Sequence, residues 1–428
     1  MLTEEGHRRK TINAWCMYDW ANSAFVTTVI AAVLPVYYST VAGADLPGNR
    51  ATVYWAYTTA IALLIIAVAA PLLGAIADHT GTKKRFLTLF AVLGALFSCL
   101  LALVGRGDWA LASCLFVVAN VGFAGANIFY DGLLPHVAGP EEINRISARG
   151  YALGYLGGGL LLALNLAWIT KPSFFGMASK EVASRVSFLS VGLWWMLFSI
   201  PLWRRVREPS GTGPVEARRA AVRSGIQRLL RTLREVRRYR ELAMFLAAFW
   251  LYNDGIGTII KMAAIYGEEI GIGLNDLIGA LLLVQFVGIP CSLLFGRLGS
   301  RIGAKRGVLL ALVVYTLIAL SAYWMSAAWH FWSLAIAVAV VQGGSQALSR
   351  SLFASMVPKH RSAEFFGFYS TSSKFAGIIG PLAFGLIGQL TGSSRLGIVS
   401  LVFFFVVGGW LLTRVDVEEG MRVAAAEG

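Results

Sequence analysis

Long apolar runs constrain the fold of this chain more than any other feature of its sequence. A run of roughly 18 to 25 apolar residues can cross about 30 Å of hydrocarbon as a helix. Charged residues make up 14% of the chain, against about 25% in a typical soluble protein. We place about twelve such runs at 12–39, 51–77, 86–106, 109–135, 147–169, 186–203, 241–266, 276–298, 307–326, 330–357, 362–390 and 394–413. The sequence therefore predicts an all-α membrane protein with twelve transmembrane helices.

A short glycine-rich and basic motif occurs at the end of the second run and again at the end of the eighth. Its residues are Gly74, Asp78, Gly81, Lys83 and Lys84 in the first copy, and Gly296, Ser300, Gly303, Lys305 and Arg306 in the second. Such a motif between two membrane helices predicts a tight cytoplasmic turn. Its duplication predicts two pseudo-symmetric six-helix bundles facing each other across a cavity, an arrangement typical of secondary transporters.

The chain is strongly basic, with 37 Lys and Arg residues against 23 Asp and Glu residues and a net charge of +14. These basic residues concentrate in alternate loops, a distribution that indicates membrane topology and not a nucleic-acid partner. Because positive loops stay in the cytoplasm, we expect both termini to be cytoplasmic. The expected location is a bacterial-type inner membrane.

A basic, apolar-poor stretch at 204–240 separates the two predicted bundles and contains twelve arginines. We therefore expect a first bundle at 1–203, a cytoplasmic linker at 204–240 and a second bundle at 241–428. The later part of the linker has the pattern of an amphipathic helix lying on the inner leaflet, where arginines meet anionic lipid. The run of arginines can also act only to enforce orientation, and the sequence leaves both interpretations open.

The two predicted halves, the basic central loop and the repeated motif resemble the major facilitator superfamily of transporters. The resemblance covers nearly the whole chain. The first motif copy fits the superfamily pattern at every position, whereas Ser300 in the second copy stands where the pattern has an acid. The resemblance implies the major facilitator fold and transport by alternating access.

Three segments carry a narrower resemblance to the vacuolar-effluxer-like group, also called the unknown major facilitator family. They are Trp15–Phe25 in the first run, Tyr130–Pro135 at the end of the fourth and Tyr252–Gly255 in the seventh. Yeast members of this group export amino acids from the vacuole. The resemblance implies efflux of small metabolites, with amino acids as candidates.

Polar and charged side chains within membrane helices are costly and tend to be functional. In the first run, Asp19, Asn22 and Ser23 lie on one polar stripe, which predicts either substrate or proton binding or an inner gate. In the fourth run, Asn127 precedes Asp131 by one turn. We include all five residues as candidate substrate-binding residues, although Asp131 also fits a gate that pairs with loop arginines.

The second half carries mostly basic residues at depth. The candidate substrate-binding residues there are Asn253, Asp254, Lys261, Gln346 and Lys374. A deep lysine either pairs with an acid or presents its ammonium group to a ligand carboxylate or phosphate. Arg350 is a candidate anion clamp, and a bridge across the inner mouth fits it equally well. We assign it to the gate.

Acidic residues in the first half and basic residues in the second would polarise a cavity between the halves. Such a cavity suits a zwitterion, because both ligand charges would be paired. Asp19 and Asp131 are also candidates for proton coupling, since a low-dielectric setting favours the neutral form of a carboxyl group.

In transporters of the superfamily that this chain resembles, the loop that corresponds to the one around Asp78 locks one conformation. We therefore expect Gly74, Asp78, Gly81, Lys83 and Lys84 to contribute to gating. Glycine rows occur at matching places in the two halves, and they predict either close helix packing or rocking of one half on the other. The rows are Gly150, Gly154, Gly157, Gly158 and Gly159 in the fifth run, and Gly377, Gly380, Gly385 and Gly388 in the eleventh.

The sequence thus predicts an alternating-access secondary transporter of a small polar metabolite, most consistent with an amino acid or similar zwitterion, working in efflux and with protons as a possible coupling ion. Two alternatives are a proton-driven multidrug exporter and a membrane sensor or scaffold that does not transport. No pattern indicates catalytic residues, a metal site or a cofactor. We expect a monomer that contacts membrane lipids and its substrate, and no nucleic acid.

Overall fold

The computed structural model describes residues 4–80, 82–137, 143–207, 239–357, 365, 368–369 and 377–426. All regular secondary structure within these ranges is helical. The first helix, α1, begins at Glu4 and continues to Ala42 through two π-helical stretches. The others are α2 (Arg50–Thr80), α3 (Lys83–Leu100), α4 (Trp109–Val137), α5 (Ile143–Thr170), α6 (Lys180–Arg205), α7 (Arg240–Glu269), α8 (Leu274–Ile302), α9 (Ala304–Ser321), α10 (Ala328–Ser355), α11 (Ile379–Thr391), α12 (Ser394–Arg414) and α13 (Val417–Ala426).

Eleven of the described helices contain a segment long and apolar enough to cross a membrane, and α11 is a shorter apolar helix. The run predicted at 362–390 extends over residues outside the described ranges, so only its later part is seen as α11. On α6, Leu189, Leu193 and Leu197 lie one turn apart and are all exposed. A continuous apolar stripe of this kind on an outer helix face suits lipid and not water.

The chain divides into two compact units. The first comprises residues 1–46 and 65–225, and the second comprises residues 47–64 and 226–428. The early part of α2 therefore belongs by its contacts to the second unit, although it lies early in the sequence. Most of the linker predicted at 204–240 lies outside the described residues. The domain boundaries at 203 and 241 stay predictions.

An unusual helical geometry interrupts α1 in its middle. Phe25–Ala32 forms a π-helix, and a second π-helical stretch follows at Tyr38–Ala42. Within the first stretch, the Thr27 hydroxyl donates to Gly158 O on α5 at 3.1 Å, and Thr28 Oγ1 accepts from Asn165 Nδ2 at 3.0 Å. Both bonds join the π-helical stretch to α5, and π-helical turns occur frequently at functional sites.

A terminal amphipathic helix, α13, follows the last span and has no counterpart in the predicted runs. The Asp416 backbone N–H donates to Glu241 Oε2 at the start of α7, at 2.6 Å. A Cβ atom on Gly420 would lie 2.9 Å from the Met356 sulfur, so this helix packs closely at the end of α10. The α13 helix is therefore anchored to the second unit by a hydrogen bond and by packing.

Candidate functional site

Asp19 lies in a polar and aromatic cluster between α1 and α4. Tyr130 Oη donates to Asp19 Oδ2 at 2.8 Å. The Trp15 ring stacks on Tyr130 with 4.3 Å between ring centroids, and Trp15 Nε1 donates to the Tyr130 carbonyl oxygen at 3.2 Å. Asp19 is half-buried, whereas Trp15 and Tyr130 are buried. Two buried aromatic residues thus hold a carboxylate that keeps partial access to its surroundings.

The glycine row of α5 covers this cluster. A Cβ atom on Gly150 would lie 2.4 Å from Asp19 Oδ2, and one on Gly154 would lie 2.6 Å from Ser23 Oγ. A Cβ atom on Gly157 would meet the Trp20 carbonyl oxygen at 2.5 Å. Small residues let two membrane helices approach this closely. The structure therefore shows close packing of α5 on α1, and a role of the row in rocking stays a prediction.

The other candidates of the first unit divide into two places. Asn22 Nδ2 donates to Asn127 Oδ1 at 2.7 Å, so this predicted pair is brought together across α1 and α4. Asn22 is buried and Ser23 is half-buried. Asp131 is exposed, and its neighbour Tyr130 is the residue that reaches Asp19. The adjacent side chains of this segment therefore point to different surroundings.

Asp254 lies in the second unit between α7 and the start of α11, and it is only 1% exposed. Its Oδ2 atom accepts from the backbone N–H of Gly380 at 2.8 Å. Its Oδ1 atom is buried and has no hydrogen-bond partner among the described residues. The Thr258 hydroxyl donates to the Asp254 carbonyl oxygen at 2.8 Å. Like Asp254 Oδ1, this hydroxyl faces Gly380 on α11. Protein atoms enclose Asp254 in this structure, and its predicted contact with substrate stays a prediction.

Lys261 lies two turns after Asp254 on α7 and is half-buried. In the part of the chain that the structure describes, no carboxylate oxygen lies within 4.0 Å of its ammonium group. Trp55 Nε1, on the early part of α2, donates to the Lys261 carbonyl oxygen at 3.1 Å. Asn253 is half-buried on the same helix. An ammonium group in this setting can take an anionic ligand group.

The candidates on α10 have exposed side chains. Gln346 and Arg350 are one turn apart and both exposed. Near them, Tyr252 and Ser349 join α7 to α10 through their hydroxyl groups at 2.7 Å. Lys374 lies outside the described residues. The predicted roles of Gln346, Arg350 and Lys374 stay predictions.

The gating motif is described only in part. Gly81 lies outside the described residues, and so do the side chains at 70–80, which include the predicted gating positions Gly74 and Asp78. Lys83 Nζ lies 3.4 Å from the Gly132 carbonyl oxygen on α4, and Lys84 is half-buried. Their gating roles stay predictions.

The second motif copy is described around its lysine. Lys305 Nζ donates to the carbonyl oxygens of Thr413 and Val415, at 3.0 and 2.8 Å. Both copies therefore place a lysine on helix carbonyl groups near the end of a span.

Several residues of these clusters were not among the predicted binding residues. Tyr130, Trp55 and Gly380 each make a contact to a predicted residue from a distant part of the chain. The segment at Tyr130–Pro135 did carry a family signal, but the signal does not show which of two adjacent polar residues faces α1. Among the described residues, no group of His, Cys, Asp or Glu side chains has an arrangement that could hold a metal ion.

Comparison with solved structures gives the fold. A bacterial homologue of the human lysosomal transporter Spinster, in an inward-facing and unoccupied conformation, is 15% identical, and the match covers 99% of each chain with a TM-score of 0.67. The nucleoside transporter NupG is 14% identical, covering 96% of this chain and 99% of that one, with a TM-score of 0.68. These neighbours have the two-bundle fold of twelve transmembrane helices, and the predicted fold is confirmed.

Sequence relatives agree with that fold. The MFS-type transporter YxiO of Bacillus subtilis is 39% identical over 417 residues, which is 97% of each protein. Autophagy-related protein 22-1 of Penicillium rubens is 21% identical, covering 98% of this chain and 92% of that protein. A family model described as "Vacuole effluxer Atg22 like" matches residues 49–425. The chain therefore belongs to the Atg22-like vacuole effluxer family of major facilitator transporters.

Proposed function

We propose that this integral membrane transporter moves an amino acid or a similar zwitterion, with Asp19 recognising the ammonium group and Lys261 the carboxylate. The observation that carries the proposal is the state of Lys261. Its ammonium group is half-buried within a membrane span and has no ion-pair partner among the described residues. A charge in that position is costly unless a partner arrives, and a ligand carboxylate supplies one.

Asp19 fits the opposite end of such a ligand. Tyr130 supplies the hydrogen bond described for its carboxylate and fixes its orientation, while the side chain stays half-buried. A substrate ammonium group can therefore complete the coordination of Asp19. The half-buried Asn127, held by Asn22, adds a polar group on the neighbouring helix.

The direction and the membrane are parts of the same proposal. The family model describes vacuole effluxers, which supports the export of small metabolites as the function of relatives. For this chain we propose efflux across a bacterial-type inner membrane, with protons as the coupling ion. The concentration of basic residues in alternate loops supports cytoplasmic termini. Labelling of single cysteines placed at each terminus, in intact cells and in inverted vesicles, tests that orientation.

The main test is counterflow in proteoliposomes with a mixture of labelled amino acids as the probe. We expect the wild-type protein to exchange at least one of them. Loss of a buried charged partner costs about 2–5 kcal/mol, so Lys261→Met and Asp19→Asn should each reduce exchange by roughly thirtyfold or more. The matched controls Lys180→Met and Asp45→Asn change exposed residues of the same types and should keep wild-type exchange.

Two other outcomes would contradict the proposal. Wild-type exchange in the Lys261→Met variant would remove the lysine from substrate recognition. Saturable binding of amino acids without any exchange would favour a sensor, and exchange restricted to lipophilic cations would favour a multidrug exporter.

A further inference from the structure

Asp254 is the one buried residue among the acidic and basic side chains whose burial the structure describes. We propose that its carboxyl group is the proton-binding site that couples transport to the proton gradient. This inference rests on the proposed transport function, and it assigns the coupling to a residue that the sequence does not single out for it. It also gives different tasks to the two acids: Asp19 meets the ligand and Asp254 carries the proton.

The Asp254 carboxyl group accepts fewer hydrogen bonds from the described residues than an ionised carboxylate needs. An ionised carboxylate offers about four lone-pair sites. Here, Oδ2 accepts a hydrogen bond from the Gly380 N–H, whereas Oδ1 is buried and accepts none from the part of the chain that the structure describes. Burial of an unpaired charge costs several kcal/mol, and the cost falls away when the group is neutral. A proton on Oδ1 therefore gives the enclosed carboxyl group its most stable form in this conformation.

The close approach of α11 favours a proton over a metal ion at this place. A Cβ atom on Gly380 would lie 2.7 Å from Asp254 Oδ1 and 3.1 Å from the Asp254 carbonyl oxygen, and it would overlap the Thr258 hydroxyl. The glycine backbone already fills the space next to these oxygen atoms. Hard metal ions require about six oxygen ligands with room around the ion, and a proton requires neither.

The charged surroundings of Asp254 are simple in the described part of the molecule. Lys261, on the same helix, is the charged side chain that interacts electrostatically with Asp254. The described part of α11 carries no titratable residue, and α12 has its arginines only near its two ends, at Arg395 and Arg414. On α10, the Ser349 hydroxyl is hydrogen-bonded to the Tyr252 hydroxyl of α7.

The remaining helices that pack on α7 hold their described charges elsewhere. On α8, Asp276 accepts a hydrogen bond from Trp332 Nε1, and on α13, Glu419 forms an ion pair with Arg422. The other described charges on these neighbours are the exposed Arg301 of α8, Arg350 of α10 and Glu418 of α13, and the titratable His330 lies at the start of α10. Lys374, just before α11, lies outside the described residues. Lys261 is therefore the group that can transmit the protonation state of Asp254.

This arrangement links the proton to the substrate. When Asp254 is ionised, it is a counter-ion for Lys261 and competes with a substrate carboxylate. When Asp254 is protonated, Lys261 is left to bind that carboxylate, so proton and substrate favour each other's binding. The proton leaves water on one side of the membrane, forms an O–H bond on Asp254 and returns to water on the other side. Proton and substrate travel together, so the proposed efflux occurs when the outward substrate gradient exceeds the inward proton gradient, and the proton gradient then limits the loss of substrate.

Transport in proteoliposomes tests the coupling. A gradient of one pH unit is worth about 1.4 kcal/mol, so it should drive wild-type accumulation of the labelled amino acid mixture by up to about tenfold. Asp254→Asn imitates the protonated form and can still accept from the Gly380 N–H. We expect it to lose accumulation driven by the pH gradient and to exchange substrate in counterflow at a rate that no longer depends on pH. Asp45→Asn, at an exposed position, should behave as wild type.

Infrared difference spectroscopy of the reconstituted protein tests the site without any substrate. Wild type and Asp19→Asn should show the carbonyl stretch of a protonated, buried carboxyl group, and Asp254→Asn should lack it. Should Asp254→Asn not fold, Asp254→Glu keeps the carboxyl group, and the band should be displaced while coupling is retained. Isotope-labelled aspartate identifies the band in the wild-type protein.

Several results would overturn the assignment of Asp254. They are pH-driven accumulation by Asp254→Asn equal to wild type, wild-type accumulation that ignores the pH gradient, dependence on a sodium gradient that Asp254→Asn removes, or an infrared spectrum without an aspartate band that depends on Asp254. Absence of wild-type counterflow with every labelled amino acid would instead contradict the proposed function. In that case the infrared measurement still decides whether Asp254 binds a proton.

Discussion

Asp19 in the first unit and Asp254 in the second have the same sequence pattern around them, yet their carboxyl groups have different partners and different exposure. Each acid follows a tryptophan by four residues, Trp15 or Trp250, and precedes a hydroxyl residue by four. Each also lies against a glycine of a neighbouring helix, Gly150 on α5 or Gly380 on α11. The two units thus place an acidic residue against a glycine of a neighbouring helix in the same way.

The two carboxylates differ in their hydrogen-bond donors and in their exposure. Asp19 accepts from the hydroxyl of a side chain, Tyr130, and remains half-buried. Asp254 accepts from a backbone N–H and is enclosed, and its other oxygen has no hydrogen-bond partner within the described ranges. A carboxylate that keeps access suits a ligand, whereas an enclosed one suits a proton. Duplication of a fold therefore does not imply duplication of function at equivalent positions.

The largest expected effect comes from adding a methyl group at each of the two glycines. In Gly380→Ala the new Cβ atom meets the Thr258 hydroxyl, Asp254 Oδ1 and a backbone oxygen, and the enclosed groups have nowhere to move. Overpacking of this kind costs about 1–3 kcal/mol or more. In Gly150→Ala the nearest atom is the end of the half-buried Asp19 side chain, which can rotate away by giving up its hydrogen bond from Tyr130.

We therefore expect Gly380→Ala to lower thermal stability in detergent clearly more than Gly150→Ala, which should mainly reduce substrate exchange. Gly288→Ala is a matched control, since its nearest atom would be 3.9 Å away, within a helix interior. Alanine there should stabilise the protein by up to about 1 kcal/mol through helix propensity. Equal losses of stability at Gly380 and Gly150 would show that the two acids are equally enclosed.

A smaller effect is expected from removing one hydroxyl group in each unit. Tyr130→Phe keeps the stack on Trp15 but deletes the hydrogen bond to Asp19. Tyr252→Phe deletes the bond between two neutral hydroxyl groups, Tyr252 and Ser349. A hydrogen bond to a charged group contributes about 1.5–3 kcal/mol and a neutral one about 0.5–1.5 kcal/mol. Thermal unfolding should thus show the larger loss for Tyr130→Phe, and equal losses would indicate that Asp19 is neutral.

The fold could be predicted from sequence because lipid imposes one simple rule on every span. Runs of sufficient apolar length correspond to helices, and the run at 394–413 lies within α12 at Ser394–Arg414. The short α13 helix was not predicted because its 10 residues are too few to form a membrane-spanning run. In α1 the helix begins at Glu4, before the predicted start at 12, because polar residues can continue a helix beyond the membrane.

The candidate sites could be predicted only as far as residue type and depth decide them. Asp19, Asn22 and Asn127 follow from their cost in lipid, and the structure brings Asn22 and Asn127 into contact. The partner of Asp19 could not be predicted, because Tyr130 and Asp131 are adjacent and point about 100° apart on a helix. The closure of α11 over Asp254 could not be predicted either, since it depends on a backbone N–H, which every residue except proline offers.

The smallest expected effect concerns the lysines of the two motif copies. Lys305 donates to two carbonyl oxygens at the end of α12, at 3.0 and 2.8 Å, and a cation at a helix C-terminus also interacts favourably with the helix dipole. The contact of Lys83 with the Gly132 carbonyl oxygen on α4 is longer, at 3.4 Å. Partly exposed interactions of this kind are worth about 0.3–1 kcal/mol and weaken with salt. Lys305→Met should therefore lower the melting temperature more than Lys83→Met, and added salt should reduce the difference. If Lys83→Met instead alters the transport rate without changing stability, the first copy acts in gating and the second in anchoring α12, so the two copies of one motif differ as the two acids do.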